Sequence, residues 1–200
     1  MSVTAEYFKQ YVDFCGSLLL LILFSPVFLV VAVLIKLDSP GPVIFFQRRC
    51  GKSGKEFRML KFRTMVENAE SLKQHLRNEV DGPMFKVTSD PRVTRIGRHL
   101  RSLSLDEFPQ LVNVLRGEMS LVGPRPLARE EMSENRGWVE ARLSVKPGMT
   151  GLWQVKGRGS NSFRDWVAFD LEYVEHRSLL GDLKILLQTL PAMMRRRGAS

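Results

Sequence analysis

Asp106 and Glu107 stand side by side in SLSLDEFPQL at 102–111, between apolar residues and just ahead of Pro109. Arg101 precedes them by five residues, and downstream RGEMSLVGPRP at 116–126 sets Arg125 between two prolines that restrict where its guanidinium can go. Upstream, KFRTM at 61–65 carries Lys61 and Arg63 two residues apart, a spacing that puts both on one face of a strand, able to grip a diphosphate. Carboxylates among such cations point to phosphoryl chemistry: Lys, Arg and often a divalent cation neutralise the phosphate while a carboxylate attacks or binds metal.

The same pair has a purely structural reading. Ser104-x-x-Glu107 matches a capping box, and Asp106 would then lie in a first helical turn, where the helix dipole favours an anion. Pro109 strains that reading, because it would be the fifth helical residue, lacking the bond to Leu105 and disfavouring a helical Phe108. A helix that instead starts at Pro109 leaves both acids on irregular backbone ahead of it. Phe108, Leu111, Val112 and Leu115 give that helix an apolar face, and Gly117 ends it.

The rest of the chain must position these groups. Its 200 residues, 44% hydrophobic, suffice for one core and an attachment. A net charge of +9 implies an anionic partner: nucleic acid, an acidic membrane surface or a phosphorylated substrate. Cys15 and Cys50 form neither a disulfide framework nor a metal pair, which fits a reducing cytoplasm, and His75, His99 and His176 have no ligand spacing. From Cys15 to Ile35 the chain carries no charge, and as a helix this run measures about 31 Å, enough to cross a bilayer. Ser25-Pro26 interrupts it, predicting either a kinked spanning helix or a re-entrant helix-break-helix. All Lys and Arg except Lys9 follow the run, which places the larger part in the cytoplasm.

Beyond the turn DSPGP at 38–42, residues 43–65 read as a β-hairpin whose basic residues Arg48, Arg49, Lys52, Lys55 and Arg58 mostly face solvent or lipid headgroups. The spacing of Met65, Ala69, Leu72 and Leu76 predicts a packed helix over 65–76, and 79–94 reads as a loop with a short strand. Near the C-terminus Asp182 can cap a helix with a stripe of Leu183, Leu186, Leu187, Leu190 and Met194, ending in Arg195–Arg197; the stripe suits a core or a bilayer surface equally.

Taken together, the Ser-Pro-interrupted apolar segment, KFRTM, DPRVTRIGRHLRSLSLDEFPQLVNVLRGEMSLVGPRP at 90–126, KPGMTGLWQVKGR at 146–158 and DLEYVEHRSLLGDLKILLQTL at 170–190 resemble the bacterial sugar transferases, the monotopic phosphoglycosyl transferases, in order over nearly the whole chain. The resemblance implies transfer of a sugar 1-phosphate from a UDP-sugar to undecaprenyl phosphate with release of UMP, the first step of a surface glycan. It implies Mg²⁺ held by Asp106, Glu107 and Asp170, with Asp106 as covalent nucleophile and Glu107 assisting. Lys61, Arg101 and Arg125 would bind phosphate, and Arg63 and Arg158 would contact phosphate or uridine. The expected fold is α+β: a re-entrant membrane helix over 1–37, broken at Ser25-Pro26, and a mostly helical cytoplasmic catalytic domain over 38–200. That domain would carry a small hairpin and amphipathic helices resting on anionic lipids. Phe108 stands where Leu is common in the family and Glu118 where Asp is common. Many relatives carry further N-terminal membrane helices and another domain, so the chain reads as a minimal catalytic unit.

Two other readings compete. A metal-dependent glycosyltransferase that releases UDP would be expected to carry Asp-x-Asp, which does not occur in the sequence. A membrane-tethered nucleic-acid binder suits the charge, but no helix-turn-helix, finger or RNP signature is present, and nucleic acid is not an expected partner.

Overall fold

The computed structural model describes residues 1–79, 85, 87, 89–132, 136–157 and 162–194. In chain order its elements are α1 (Val3–Asp38), β1 (Ile44–Cys50), β2 (Glu56–Phe62), α2 (Ala69–Lys73), α3 (Arg95–Ser102), α4 (Gln110–Leu115), β3 (Ser120–Val122), α5 (Arg136–Leu143), β4 (Gly148–Thr150), α6 (Leu152–Lys156), α7 (Phe163–His176) and α8 (Leu179–Met194). The fold is α+β and mostly helical, as the resemblance implies.

The hairpin forms as expected. β1 and β2 pair antiparallel from Ile44 opposite Phe62 to Cys50 opposite Glu56, and the turn between them puts Ser53 and Gly54 in the left-handed region. A second, parallel pair joins β3 to β4. Around these, Phe57, Met59, Leu111, Val114, Met119, Leu121, Val122, Tyr173 and Ile185 form the main core, while Val31, Ile35, Phe62 and Leu100 form a smaller one.

α1 belongs to both cores. Its buried residues include Lys9, Asp13, Ser17, Val31 and Ile35, and between them Leu20, Leu21 and Phe28 pack on the main core while Phe24 meets Phe108 edge-on at 4.9 Å. Spacings of three and four residues make this one continuous stripe along a helix about 54 Å long. The opposite face exposes Leu18, Leu19, Ile22, Leu23, Leu29, Val30, Val33 and Leu37. Only 11% of its most apolar 18-residue window is buried, which sets it apart from an ordinary core helix.

Both ends of α1 are fastened to the same body. Near its start, Lys9 Nζ donates to Asp182 and to the Val122 carbonyl (3.2 Å), Asp13 accepts from the Leu121 amide (3.1 Å), and the Tyr173 hydroxyl lies between Asp182 (2.9 Å) and Val122 O (3.0 Å), with its one proton to share between them. Near its end, Asp38 accepts from the Ile96 amide at the start of α3 (2.9 Å). Asp182 is therefore a buried counter-ion rather than the expected helix cap; Ser178, which accepts from the Gly181 amide, takes that place.

Three further expectations need correction. The break at Ser25-Pro26 is not a gap in α1, which stays helical through Pro26; Ser25 Oγ donates to the Ile22 carbonyl (2.8 Å), the acceptor that a proline at 26 deprives of its amide partner. The helix expected over 65–76 shrinks to the five residues of α2, because Met65 pairs with Val93 in a β-bridge and Leu72 is exposed. The α8 stripe, which suited core or bilayer equally, does not face a single environment: Leu186 packs on the main core beside Ile185, while Leu183, Leu187 and Leu190 are exposed.

Candidate active site

Asp106 and Glu107 lie in a single 3₁₀ turn, Leu105–Glu107, ahead of α4. Ser104 sits at φ 56° and makes no side-chain capping bond, so the capping box does not form, and Pro109 directly precedes the first residue of α4. Gly117, at φ 73°, follows the end of that helix as anticipated. The proline therefore does what it implied: the acids are delivered on the lead-in to a helix whose Leu111 and Val114 are locked in the core.

Opposite them, β2 presents Lys61, whose Nζ donates to Glu107 Oε1 at 2.9 Å. Asn113 fixes this approach. Completely buried, it accepts from the Leu60 amide (3.0 Å) and donates to the Arg58 carbonyl (2.8 Å), standing in for a strand partner and tying α4 to the residues beside Lys61. Its amide also donates to Glu118 (2.7 Å). The third group is Arg125, whose Nη1 lies 4.0 Å from the same Glu107 oxygen and whose side chain is 41% exposed. Two cations from distant parts of the chain thus converge on one carboxylate oxygen. They line an open cleft together with Met59, Gln110, Pro126, Gly148, Met149 and Gln154.

Arg101 approaches from α3. The helix can lie against the strand exit because Gly97 has no side chain: a Cβ there would stand 2.1 Å from the Thr64 carbonyl. Arg101 Nε donates to Thr64 Oγ1 at 3.0 Å. Burial pushes its guanidinium down from the ordinary arginine range, and the Asp106 carboxylate is the strongest of the charges opposing that shift. Arg101 therefore sits in the field of Asp106 while Lys61 and Arg125 serve Glu107.

Two expected residues lie elsewhere. Arg63 is buried and donates to the carbonyls of Ile35 (3.5 Å), Ser39 (2.7 Å) and Pro40 at the end of α1. β2 ends at Phe62, and although the Arg63 amide still donates to the Val43 carbonyl (2.8 Å), its side chain turns toward the end of α1, where carbonyls past the last helical turn take the guanidinium. Asp170, on α7, is buried in an ion pair with Arg142 at 2.6 Å. Among the described residues no three of His, Cys, Asp and Glu come together as a metal cage, so the expected set of Asp106, Glu107 and Asp170 is not assembled. Arg158 lies outside the described residues. Conversely, sequence reasoning passed over Gln110 and Gln154, which line the cleft, and Asn113, which aligns it; Gln154 stands within the quoted KPGMTGLWQVKGR motif, the one signal that could have drawn attention to it.

The donor chemistry still suits magnesium. Mg²⁺ is commonly held by one or two carboxylates together with substrate phosphates and water, and Glu107, which lines the cationic cleft, with Asp106 beside it in the chain offers such a donor set without a third acid.

Comparison with known proteins agrees with the geometry. The family model for bacterial sugar transferases matches residues 4–196. The exopolysaccharide production protein ExoY of Sinorhizobium fredii is 44% identical over 197 residues, covering 96% of this chain and 87% of that protein. The UDP-glucose:undecaprenyl-phosphate glucose-1-phosphate transferase of Caulobacter vibrioides is 42% identical over 96% of this chain and 72% of its own. The undecaprenyl-phosphate galactose phosphotransferase of Salmonella typhimurium is 42% identical over 98% of this chain, though the match spans only 42% of that longer protein. With the family model covering nearly all of the sequence, the chain belongs to the bacterial sugar transferases.

Proposed function

We propose that this protein transfers a sugar 1-phosphate from a UDP-sugar to undecaprenyl phosphate, releasing UMP and starting the assembly of a surface glycan. The observation that carries the reading is the convergence of Lys61 and Arg125 on Glu107, one residue from Asp106. A carboxylate is a weak nucleophile, so it needs a phosphorus whose oxygens are already neutralised and held in line.

In the first half-reaction an Asp106 oxygen attacks the sugar-bearing phosphorus. A new carboxylate oxygen to phosphorus bond forms, the bond to the bridging oxygen breaks, and its electron pair leaves with UMP. In the second, a phosphate oxygen of the lipid attacks the same phosphorus and the Asp106 carboxylate is released, leaving a lipid diphosphosugar. Lys61 and Arg125 bind the charge that collects on the phosphoryl and leaving-group oxygens, and Arg101 orients Asp106. Glu107 keeps the two cations in register and can accept the proton of a protonated acceptor phosphate. Asp106 and Glu107 would hold Mg²⁺, which when bound supplies Lewis-acid neutralisation of the diphosphate.

The membrane arrangement follows from α1. A helix that crossed the bilayer would carry one end about 30 Å away from the polar domain, yet Lys9 and Asp38, near opposite ends of α1, bind the same body. This supports an α1 that does not cross the bilayer, re-entrant by bending about Pro26 rather than by a break there, with its outer face in lipid, flanked by Tyr7 and Tyr11 at headgroup depth and by the exposed leucines of α8. The excess of Lys and Arg beyond the apolar run supports a cytoplasmic-face location on the bacterial inner membrane, with anionic lipids as a partner surface. Cysteine labelling of residue 2 in sealed vesicles should find it on the same side as the catalytic domain; labelling from the opposite side would show α1 to span.

The reaction is tested with purified protein, Mg²⁺, a panel of UDP-sugars and undecaprenyl phosphate. UMP and a lipid diphosphosugar are expected, whereas release of UDP would indicate a glycosyltransferase. Incubation with UDP-sugar alone should label the wild type with sugar phosphate and leave Asp106→Asn unlabelled; equal labelling of both would remove Asp106 as nucleophile.

A further inference from the structure

Behind Arg125 lies an arrangement that its role as a phosphate ligand does not require. The prolines at 124 and 126 fix φ on either side of Arg125 but leave the carbonyls of this segment to find partners. Two buried arginines take consecutive ones. Arg142 Nη2, from α5, donates to the Arg125 carbonyl at 2.7 Å, and Arg49 Nη1, from β1, donates to the Pro126 carbonyl at 3.3 Å. Each has its own counter-ion: Arg142 pairs with Asp170 at 2.6 Å, and Arg49 with Glu131 at 2.8 Å. The same Glu131 oxygen accepts from the Ala128 amide at 2.7 Å, closing the grip two residues beyond Pro126. Arg142 also lies over the Trp166 ring, 4.5 Å from its centroid.

Burying two ion pairs is costly, and well-packed apolar residues commonly serve stability as well or better. Here the two arginines hold consecutive carbonyls, that of the part-exposed Arg125 and that of the Pro126 which follows it. The Arg142 and Asp170 side chains are 2% and 1% exposed, so neither can meet a substrate, while Arg125 between the prolines faces the cleft. We propose that Arg142–Asp170 and Arg49–Glu131 are positioning pairs that hold the Arg125 backbone from behind, so that its guanidinium is aimed at the diphosphate before substrate arrives. Asp170 then acts as the counter-ion of Arg142 rather than as a metal ligand. A planar guanidinium suits this task because its donors can reach a carbonyl and a carboxylate together, which the point charge of lysine does less well.

The inference rests on Arg125 binding the substrate diphosphate, and a double-mutant cycle on the full chain in detergent micelles separates the two claims. Binding of UDP, a non-reacting probe, is measured by calorimetry for wild type, Arg125→Ala, Arg142→Lys and the double variant, with thermal melting to confirm folding. Arg125→Ala and Arg142→Lys are each expected to weaken UDP binding about tenfold, and the double variant by no more than about twofold beyond Arg125→Ala, because the second substitution has nothing left to misplace. Losses that multiply would overturn the positioning role. Arg49→Lys, acting on the neighbouring carbonyl, supplies the same cycle if Arg142→Lys does not fold. Wild-type UDP affinity in Arg125→Ala would refute the phosphate role of Arg125 and the positioning claim with it. UDP binding without UMP release in the wild type would refute the proposed reaction and leave the cycle to decide the positioning claim.

Discussion

Among the described residues, two of the lysine–carboxylate clusters do opposite work. At the start of α1, Lys9 and Asp182 are each about one-tenth exposed, and a backbone carbonyl, a tyrosine hydroxyl and Asp13 complete the group. In the cleft, Lys61 and Glu107 have side chains 15% and 29% exposed, and the neighbouring Arg125 is more open still. The first cluster is closed on itself and joins helix to domain. In the second, cations outnumber the acid they share and face an opening, the arrangement a phosphate can enter. The same residue types therefore mean anchor or site according to whether their charges are already matched and sealed.

The contrast predicts a sharp separation of effects. Lys9→Met keeps most of the side-chain volume but strands Asp182 beside Asp13, and should destabilise the fold by about 3–5 kcal/mol, read from denaturant midpoints in detergent. A loss below about 1 kcal/mol would show that the Lys9 cluster is no anchor. Lys61→Met should behave in the reverse way. Its partner Glu107 is part-exposed, so stability should change by about 1 kcal/mol or less, while UMP release should fall about 10²-fold or more through loss of transition-state charge stabilisation. A Lys61→Met protein that melted early but turned over normally would exchange the roles of the two clusters.

Which cluster is which was only partly legible in the sequence. The hairpin, the helix start near Pro109 and its stop at Gly117 follow from local backbone rules, and these bring Lys61 and the acidic pair to where they meet. Arg125 announced itself through its flanking prolines. The anchor could not be read, because Lys9 and Asp182 lie 173 residues apart and Asp182 alone resembles a helix cap. Asp170 failed for the same reason, since nothing local ties it to Arg142 on another helix. Arg49 was grouped with solvated turn charges but is buried, paired to a glutamate 82 residues away. Arg63 misled because alternation was extended one residue past the end of β2. Periodicity reports a residue's own element, whereas pairing of buried charges is a property of how elements pack.

The Arg142–Asp170 pair sharpens the comparison, because it is sealed like the anchor yet less completely compensated. Burial outweighs the attraction of Arg142 and pushes the Asp170 carboxyl up from its ordinary 3.8 to about 6. Between those values the folded chain holds a proton that the unfolded chain has lost, so the unfolded state binds fewer protons and stability falls as pH rises. This contribution is fully present below about pH 4 and is lost as the pH climbs through about 6, with a slope of at most about 1.4 kcal/mol per pH unit. Asp170→Asn removes the titrating group, so the difference between wild-type and variant denaturant midpoints should vary across pH 4–7 and become constant above it. A difference independent of pH over that window would mean that Arg142 holds Asp170 ionised throughout. The pair would then be matched as fully as Lys9 and Asp182.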